Sequence, residues 1–566
     1  MKIVRRTHVD DSALEDTIAD PILRQILASR GFSDPQDLDD SPKLLLHYGT
    51  LADIDKAADR LAQAVLNDEK IMIMGDYDVD GITGTALGVL VSRALGAKHV
   101  DYMVPSRYDT GYGMSLDSVR KAKALGTTLI VTVDNGISCF EAVEFAADIG
   151  IDVIITDHHE VGEQMPKAYA VVNPKRPDCA FPSKNLCGAG VLFYLLIALR
   201  AKLVQSGAFD NKEAPILGSY LDLVAIGTIG DVVSLDPNNR RLVKAGLNRI
   251  ARGSCQTGVK ALSEVARINT AQISSYNISF DLCPRLNAAG RIVLDDNPSI
   301  LCLLSQDMDE ALELAMRLDF CNKRRSDYER VFLQEAIDKA CLQEHKSSIV
   351  VFQENWLTGI SGLLASRLKD KYKRPCFVFA GKGDEITGSG RSVANFPLAS
   401  IMQEIDKRQP GLLLRYGGHA MAAGATILKD DLNTFIDAFE DAANSLLDSP
   451  SEYEVLSDGP LPNNYFNLNF AHLLEDYGPW GSGFAEPNFD GEFIIEDMKL
   501  MAGRHIRFRL RTDDNTLHIN AIRFRASEEE KSLSPGCRIK AVFSLGVDRY
   551  NNTEKMTVKL EALECI

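Results

Sequence analysis

The sequence predicts an α/β protein of several domains. These are a parallel sheet covered by helices, a long connecting helix, a second α/β domain and a small C-terminal β-barrel. Three observations predict this. Between residues 51 and 235 short β-branched runs alternate with helical stretches, as parallel strands joined by crossover helices do. Residues 307 to 345 contain neither Gly nor Pro. Beyond residue 455, strand patterns dominate. At 566 residues the chain also exceeds what one core holds.

Residues 1–50 are acidic and weakly patterned (`DDSALED`, `DPQDLDD`), and are expected to form a small helical leader. Residues 51–235 carry five strand candidates: `IMIM` (71–74), `HVDYMV` (99–104), `TLIVTV` (128–133), `DVIIT` (152–156) and `AYAVV` (168–172). Residues 236–345 are a helical connector. Its long helix starts at Asp307, with Glu310 as a capping partner, and would run about 58 Å at 1.5 Å per residue, long enough to bridge two domains. In 346–450, `SSIVVF` and `PCFVFA` are strands of a second α/β unit, and residues 455–566 form the barrel.

Composition excludes some classes. With 45% hydrophobic and 25% charged residues the chain is of globular type. The N-terminus `MKIVRRTHVDDS` lacks a signal-peptide pattern. The longest apolar run, `VLFYLLIAL`, is half the length that spans a bilayer. Eleven cysteines without a C-x-x-C pair read as reduced thiols of a cytoplasmic protein rather than as disulfides or a zinc cage. No membrane association and a monomeric state are expected. The net charge of −17 weighs against a phosphate-rich partner, unless bound cations and a local basic patch offset it.

The chemistry gathers at predicted strand ends, where open parallel sheets bind ligands. `GDYDVDG` supplies Asp76, Asp78 and Asp80. It opens like a calcium-binding EF-hand loop, but the position that must be a bidentate Glu is Leu87. The second strand leads to Arg107, the third to Asp134 in `DNG`, and the fourth to Asp157, His158 and His159. Asp231 closes the apolar run `LVAIGTIGD`. One such aspartate is commonly a turn former or cap. Together, carboxylates and imidazoles suit Mn²⁺ or Mg²⁺, and zinc less because no thiolate joins them. Two ions would serve a phosphoryl displacement, a hydroxide between them attacking phosphorus.

The series `DYDVDG`, `VDNG`, `TDHH` and `GTIGD` resembles the DHH phosphoesterase superfamily. `CPRLNAAGR`, `GSGRS` and `YGGHAMAAG` are similar to its branch of single-strand-specific 5′-to-3′ DNA exonucleases with a DHH-associated second domain. The resemblance implies that Asp78 and Asp134 hold a first ion, and that Asp80, Asp134, His158 and Asp231 hold a second. His159 would face the scissile phosphate. Where superfamily members commonly place a His, this chain has Met74, a poor ligand for hard ions, and Asp76 is a candidate substitute. Arg107, Ser389 and Arg391 match positions that bind a 5′ phosphate, with Gly388 and Gly390 letting the backbone approach it and His419 beside them. Arg285, Asn287 and Arg291 would hold neighbouring phosphates. A narrow cleft between the two domains would exclude duplex.

In residues 504–525, Arg507, Arg509 and Arg511 alternate with Ile506, Phe508 and Leu510, so the arginines share one strand face. Six Arg against two Asp make this window locally +4, which suits a single-strand-binding oligonucleotide-binding (OB) barrel. The leading expectation is a metal-dependent 5′-to-3′ exonuclease acting on single-stranded DNA in repair and recombination. By resemblance, its partners are a single-stranded DNA-binding protein and a helicase. The alternatives are a small-substrate phosphatase of the same superfamily and a non-catalytic DNA-binding protein.

Overall fold

The computed structural model describes residues 2–105, 113–291, 297–446, 454–549 and 553–566. The chain forms two compact units. One is built from Met1–Leu46, Val232–Ala245 and Glu452–Ile566, the other from His47–Asp231 and Gly246–Ser451. The first strand, β1 (Lys2–Arg5), belongs to the former.

The larger unit opens with a sheet of five parallel strands: β2 (Ile71–Met74), β3 (Val100–Met103), β4 (Leu129–Val133), β5 (Asp152–Thr156) and β6 (Ala170–Val172). Their order is β3-β2-β4-β5-β6. β2 and β4 are buried at every position, as a sheet covered on both faces requires. Helices α1 (Val79–Ala94), α2 (Gly188–Gln205) and α3 (Leu221–Gly230) follow. All three are apolar nearly all round because neighbours cover them on most sides. α2 is long and apolar enough to cross a bilayer, with mean hydropathy 1.4, yet 67% of it is buried inside the fold.

Helix α4 (Cys283–Ala289) precedes α5 (Met308–Cys341), the expected long helix. Its 34 residues give about 51 Å. Asp307 caps it, accepting from the Glu310 N–H at 2.9 Å. The Glu310 carboxylate instead accepts from the Ser305 hydroxyl at 2.6 Å, so the reciprocal half of the capping box is absent. Ala336 and Ala340 of α5 join the core of the second α/β domain. That domain holds β7 (Ile349–Gln353), helix α6 (Thr358–Tyr372), β8 (Cys376–Ala380), β9 (Glu385–Arg391), β10 (Arg415–Gly418) and β11 (Ala422–Leu428). The strand order is β10-β11-β9-β8-β7, with only β7 and β8 parallel.

In the smaller unit β12 (Glu454–Ser457) pairs in parallel with β1. A closed barrel follows in the order β13-β14-β15-β17-β16, from β13 (Phe489–Met501), β14 (His505–Arg511), β15 (His518–Arg523), β16 (Arg538–Asp548) and β17 (Lys555–Cys565). The acidic leader corrects one expectation. It carries an α-helix at Pro21–Ala28 but begins as a strand, and it is not a separate piece. Arg30, its side chain buried, grips Asp458 through two hydrogen bonds of 2.8 and 3.0 Å, and the Phe32 ring lies 5.0 Å from Phe484. Residues 232–245, expected to close the catalytic domain at 235 and open the connector at 236, join the same unit through fully buried Arg240, whose guanidinium stacks 4.1 Å from the Phe484 ring centroid.

Candidate metal centre

At the carboxyl edge of the parallel sheet, the turn after β2 brings down three aspartates. Asp78 caps α1, accepting from the Asp80 and Gly81 N–H groups at 2.9 and 3.2 Å. Asp80 is fully buried at the N-terminus of α2, where the Gly188 and Ala189 N–H groups donate to its two oxygens at 2.5 and 3.0 Å. Gly188 must be glycine. A Cβ there would lie 2.5 Å from the Asp134 Cβ and 2.7 Å from its Cα. Asp134 sits at φ +61, a left-handed conformation that Asp and Asn tolerate best. Asn135 pins this turn, donating to the Met74 and Val133 carbonyls at 3.1 and 2.9 Å.

Among the described residues, ligand atoms fall into three groups, each within 4.8 Å: Asp76, Asp78 and Asp134; Asp80, His158 and Asp231; and Asp134, His158 and His159. His158 Nε2 lies 3.0 Å from Asp134, 3.4 Å from Asp231 and 4.0 Å from Asp80. Asp231 arrives at the C-cap of α3. Met74, in contrast, packs into the apolar core with Met72 and Ile130, so Asp76 rather than Met74 joins the first group.

The electrostatics are those of a buried anion cluster, which divalent cations would neutralise. Burial and then Asp78 push the Asp80 carboxyl up to about 6. Burial, followed by Asp80 and Asp78, pushes Asp231 up to about 8. Asp134 is raised well above the carboxylate range by burial and by four neighbouring aspartates. Burial and the charge of His159 hold His158 down to about 3, the neutral form a metal-ligating imidazole needs. Clustered oxygens with a neutral imidazole, and no thiol in any of the three groups, fit hard to borderline divalent ions.

Asp157 plays a different part. Its carboxylate accepts from the N–H groups of Ile137, His158 and His159 at 2.9, 2.7 and 3.0 Å, and meets His159 Nδ1 at 2.7 Å. Burial would raise this carboxyl, but the His159 hydrogen bond and charge, with the Ile137 N–H, prevail and hold it at about 2. In turn, Asp157 outweighs burial at His159 and raises it, which favours the imidazolium. The His159 ring stacks on His419, centroids 5.4 Å apart and planes 14° from parallel, joining the β10–β11 turn to the metal edge.

The other expected site residues divide. Arg107 lies outside the described residues. Arg291 donates to the Gly359 carbonyl at 2.9 Å, in the first turn of α6. Arg391 reaches the next turn: a Cβ on Gly362 would stand 3.0 Å from its Nη2, and 3.6 Å from the Ser389 Cβ. Ser389, Arg391 and Arg291 therefore gather along the first two turns of α6. Arg285 is engaged elsewhere, donating to Asp319 at 3.0 Å and to the Asp281 carbonyl at 2.6 Å, with Asn287 half-buried on the same helix. Gly388 and Gly390 serve the core rather than the approach of a ligand to the backbone. At Gly388 and Gly390 a Cβ would come within 2.6 Å of Phe379 and Phe377, so these glycines make room for the core rings on the opposite face. Gly390→Ala is expected to destabilise the second α/β domain by about 1–3 kcal/mol, read as a lower denaturation midpoint at unchanged slope.

On β14, Ile506, Phe508 and Leu510 are buried while Arg507 and Arg509 are exposed and Arg511 partly so, as period two requires. The basic face is partly neutralised. Arg509 pairs with Glu496 at 3.2 Å, as does His518 at 3.0 Å. Arg507 faces Lys499 across the strand pair, a like-charge juxtaposition that an anion would relieve. Phe508 is buried, so the exposed ring nearby is Phe524, against His505 at 5.3 Å.

Comparison with known proteins follows this division. The DHH family N-terminal domain matches residues 70–228, the DHHA1 domain 345–445 and the RecJ OB domain 457–562. The chain is 42% identical over 515 residues to the single-stranded-DNA-specific exonuclease RecJ of Escherichia coli (strain K12), covering 89% of each. It is 40% identical to RecJ of Dickeya dadantii, over 99% of this chain and 98% of the relative. The crystal structure of RecJ in complex with Mn²⁺ from Thermus thermophilus superposes with a TM-score of 0.83 at 29% identity, covering 100% of this chain and 80% of that one. Its complex with Mg²⁺ gives 0.77 at 28% identity, covering 78% of that chain. With its catalytic sheet, second domain and barrel all matched in order, the chain belongs to the RecJ family of the DHH phosphoesterases.

Proposed function

We propose that this chain is a metal-dependent exonuclease that hydrolyses single-stranded DNA from its 5′ end to mononucleotides, in DNA repair and recombination. The observation that carries the reading is the convergence of Asp76, Asp78, Asp80, Asp134, His158 and Asp231 on one sheet edge beneath the His159–His419 stack. Mn²⁺ or Mg²⁺ bound there would supply Lewis-acid activation of water and charge neutralisation. Asp76, Asp78 and Asp134 would hold one ion, and Asp80, Asp134, His158 and Asp231 the other.

The remaining work belongs to the chain's own groups. Asp157 fixes the His159 ring by its Nδ1, which leaves Nε2–H to donate to a non-bridging oxygen as its charge rises. Ser389, Arg391 and Arg291 would take the terminal phosphate beside the first two turns of α6, so that the first phosphodiester falls over the metal edge. Arg507 and its neighbours on β14 would track the strand farther along. Arg507→Ala is expected to weaken strand binding uniformly across sequences and to lower the salt slope by about 0.7, measured by fluorescence anisotropy. Arg509→Ala, already paired to Glu496, is expected to do less.

By family resemblance, a single-stranded DNA-binding protein and a helicase would be the partners of a monomeric, cytoplasmic enzyme. The test is digestion of end-labelled single-stranded DNA with Mn²⁺, Mg²⁺ or chelator. A 3′-labelled strand should shorten stepwise, and a 5′ label should be released at once as mononucleotide. Release from the 3′ end, or full activity in chelator, would overturn the reading.

A further inference from the structure

The turn that follows β6, `NPKRPD`, is held far more firmly than a surface loop requires. Asn173, fully buried, donates through Nδ2 to the His159 carbonyl at 2.9 Å and accepts from the Lys175 N–H at 2.8 Å. Arg176, also buried, clasps Asp178 through two hydrogen bonds of 2.9 and 2.6 Å, Asp53 at 2.7 Å and the Val171 carbonyl at 2.5 Å. Between these anchors stands Lys175. Its ammonium meets Glu160, the residue after His159, at 2.9 Å. Glu160 is 73% exposed and Lys175 26%, and an ion pair this open contributes at most about 1 kcal/mol. Stability does not account for so rigid a mount.

Placement does. The turn leaves the fifth strand of the sheet at the same carboxyl edge that carries the metal groups. Asn173 ties the turn to the His159 backbone and Glu160, the partner of Lys175, directly follows His159, whose ring stacks on His419, so the ammonium is mounted on the segment that carries that stack. The groups that hold the metal edge itself are carboxylates and imidazoles, so this lysine brings a permanent positive charge to a largely acidic rim.

We propose that Lys175 is a phosphate ligand of the bound strand, and that Glu160 occupies its ammonium until a phosphodiester oxygen replaces the carboxylate. The inference rests on the exonuclease reading for the identity of the strand. The chemistry needed is a compact, mobile cation at a fixed root, which a lysine between two anchored residues provides. Exchange of one anion for another leaves the turn unstrained, so the swap needs no movement of the metal edge.

The test is the affinity of the full chain for a 5′-phosphorylated, fluorescent single-stranded oligonucleotide in chelator, followed by anisotropy from low to moderate salt. Loss of one phosphate contact on a single strand lowers the slope of log affinity against log salt by about 0.7. Lys175→Gln should show that loss together with weaker binding. Lys175→Arg should recover the slope. Glu160→Gln should bind more tightly than wild type, because the competing carboxylate is gone. The Mn²⁺-induced rise in melting temperature should match wild type in all three variants, which separates a phosphate contact from damage to the metal site. Wild-type slope and affinity in Lys175→Gln would overturn the proposal, as would failure of Lys175→Arg to recover the slope. Failure of the wild-type chain to digest single strands with Mn²⁺ would overturn the exonuclease reading instead, and the binding slopes do not depend on that result.

Discussion

Asp134→Asn should abolish strand hydrolysis while making the metal-free protein more stable. Asparagine tolerates the left-handed backbone that Asp134 adopts at φ +61, so the turn survives and only the charge is lost. Asp134 groups with Asp76 and Asp78 and lies 3.0 Å from His158 of the neighbouring group, so it would stand between the two ions. Its removal should lower kcat by about a thousandfold or more, roughly 4 kcal/mol of barrier. Melting of the metal-free variant should rise, because burial and four neighbouring aspartates all disfavour this carboxylate. A merely structural aspartate would give the opposite pair of results: retained turnover and a lower melting temperature.

Metal addition should stabilise the wild-type chain, and more so at pH 8 than at pH 6. The sign follows from the raised carboxyls. Asp80 sits at about 6 and Asp231 at about 8, against about 3.9 for a free aspartate. The folded state therefore holds protons that the unfolded chain has released, and its stability falls as pH rises from about 4 to about 8. Displacing a pKa by one costs about 1.4 kcal/mol, so the metal-free cluster costs on the order of several kcal/mol at the top of that range. Divalent ions replace those protons, and their affinity rises with pH. Thermal melts with and without Mn²⁺ should show the gap widen by several degrees across this window. Asp157, held at about 2, behaves the other way and contributes stability above about pH 4 that is lost only in strong acid. A metal-induced stabilisation that is flat with pH would contradict the assigned protonation states.

Much of this was legible in the residues. `IMIM` and `DVIIT` occupy β2 and β5 from first residue to last, because short buried parallel strands are continuous apolar runs bounded by turn formers. The metal residues were legible for the same reason, lying just past strand ends or closing an apolar run. Other features were not. The Asp157 carboxylate looks like a ligand in `DHH`, but three backbone N–H groups and an imidazole claim it. Lys175 carries no motif, and its placement depends on Asn173 reaching back to the His159 carbonyl. Met74 could be recognised as a poor ligand, whereas its direction into the core follows from strand register. The leader's few apolar anchors, among them Leu23, Ile26, Leu27 and Phe32, were hidden by acidic neighbours.

The central claim is that these side chains surround two divalent cations. Anomalous diffraction from crystals soaked in Mn²⁺ tests it most directly. Two peaks are predicted, one among Asp76, Asp78 and Asp134 and one among Asp80, Asp134, His158 and Asp231. A map without either peak, in crystals whose carboxylates keep the spacing described here, would contradict it.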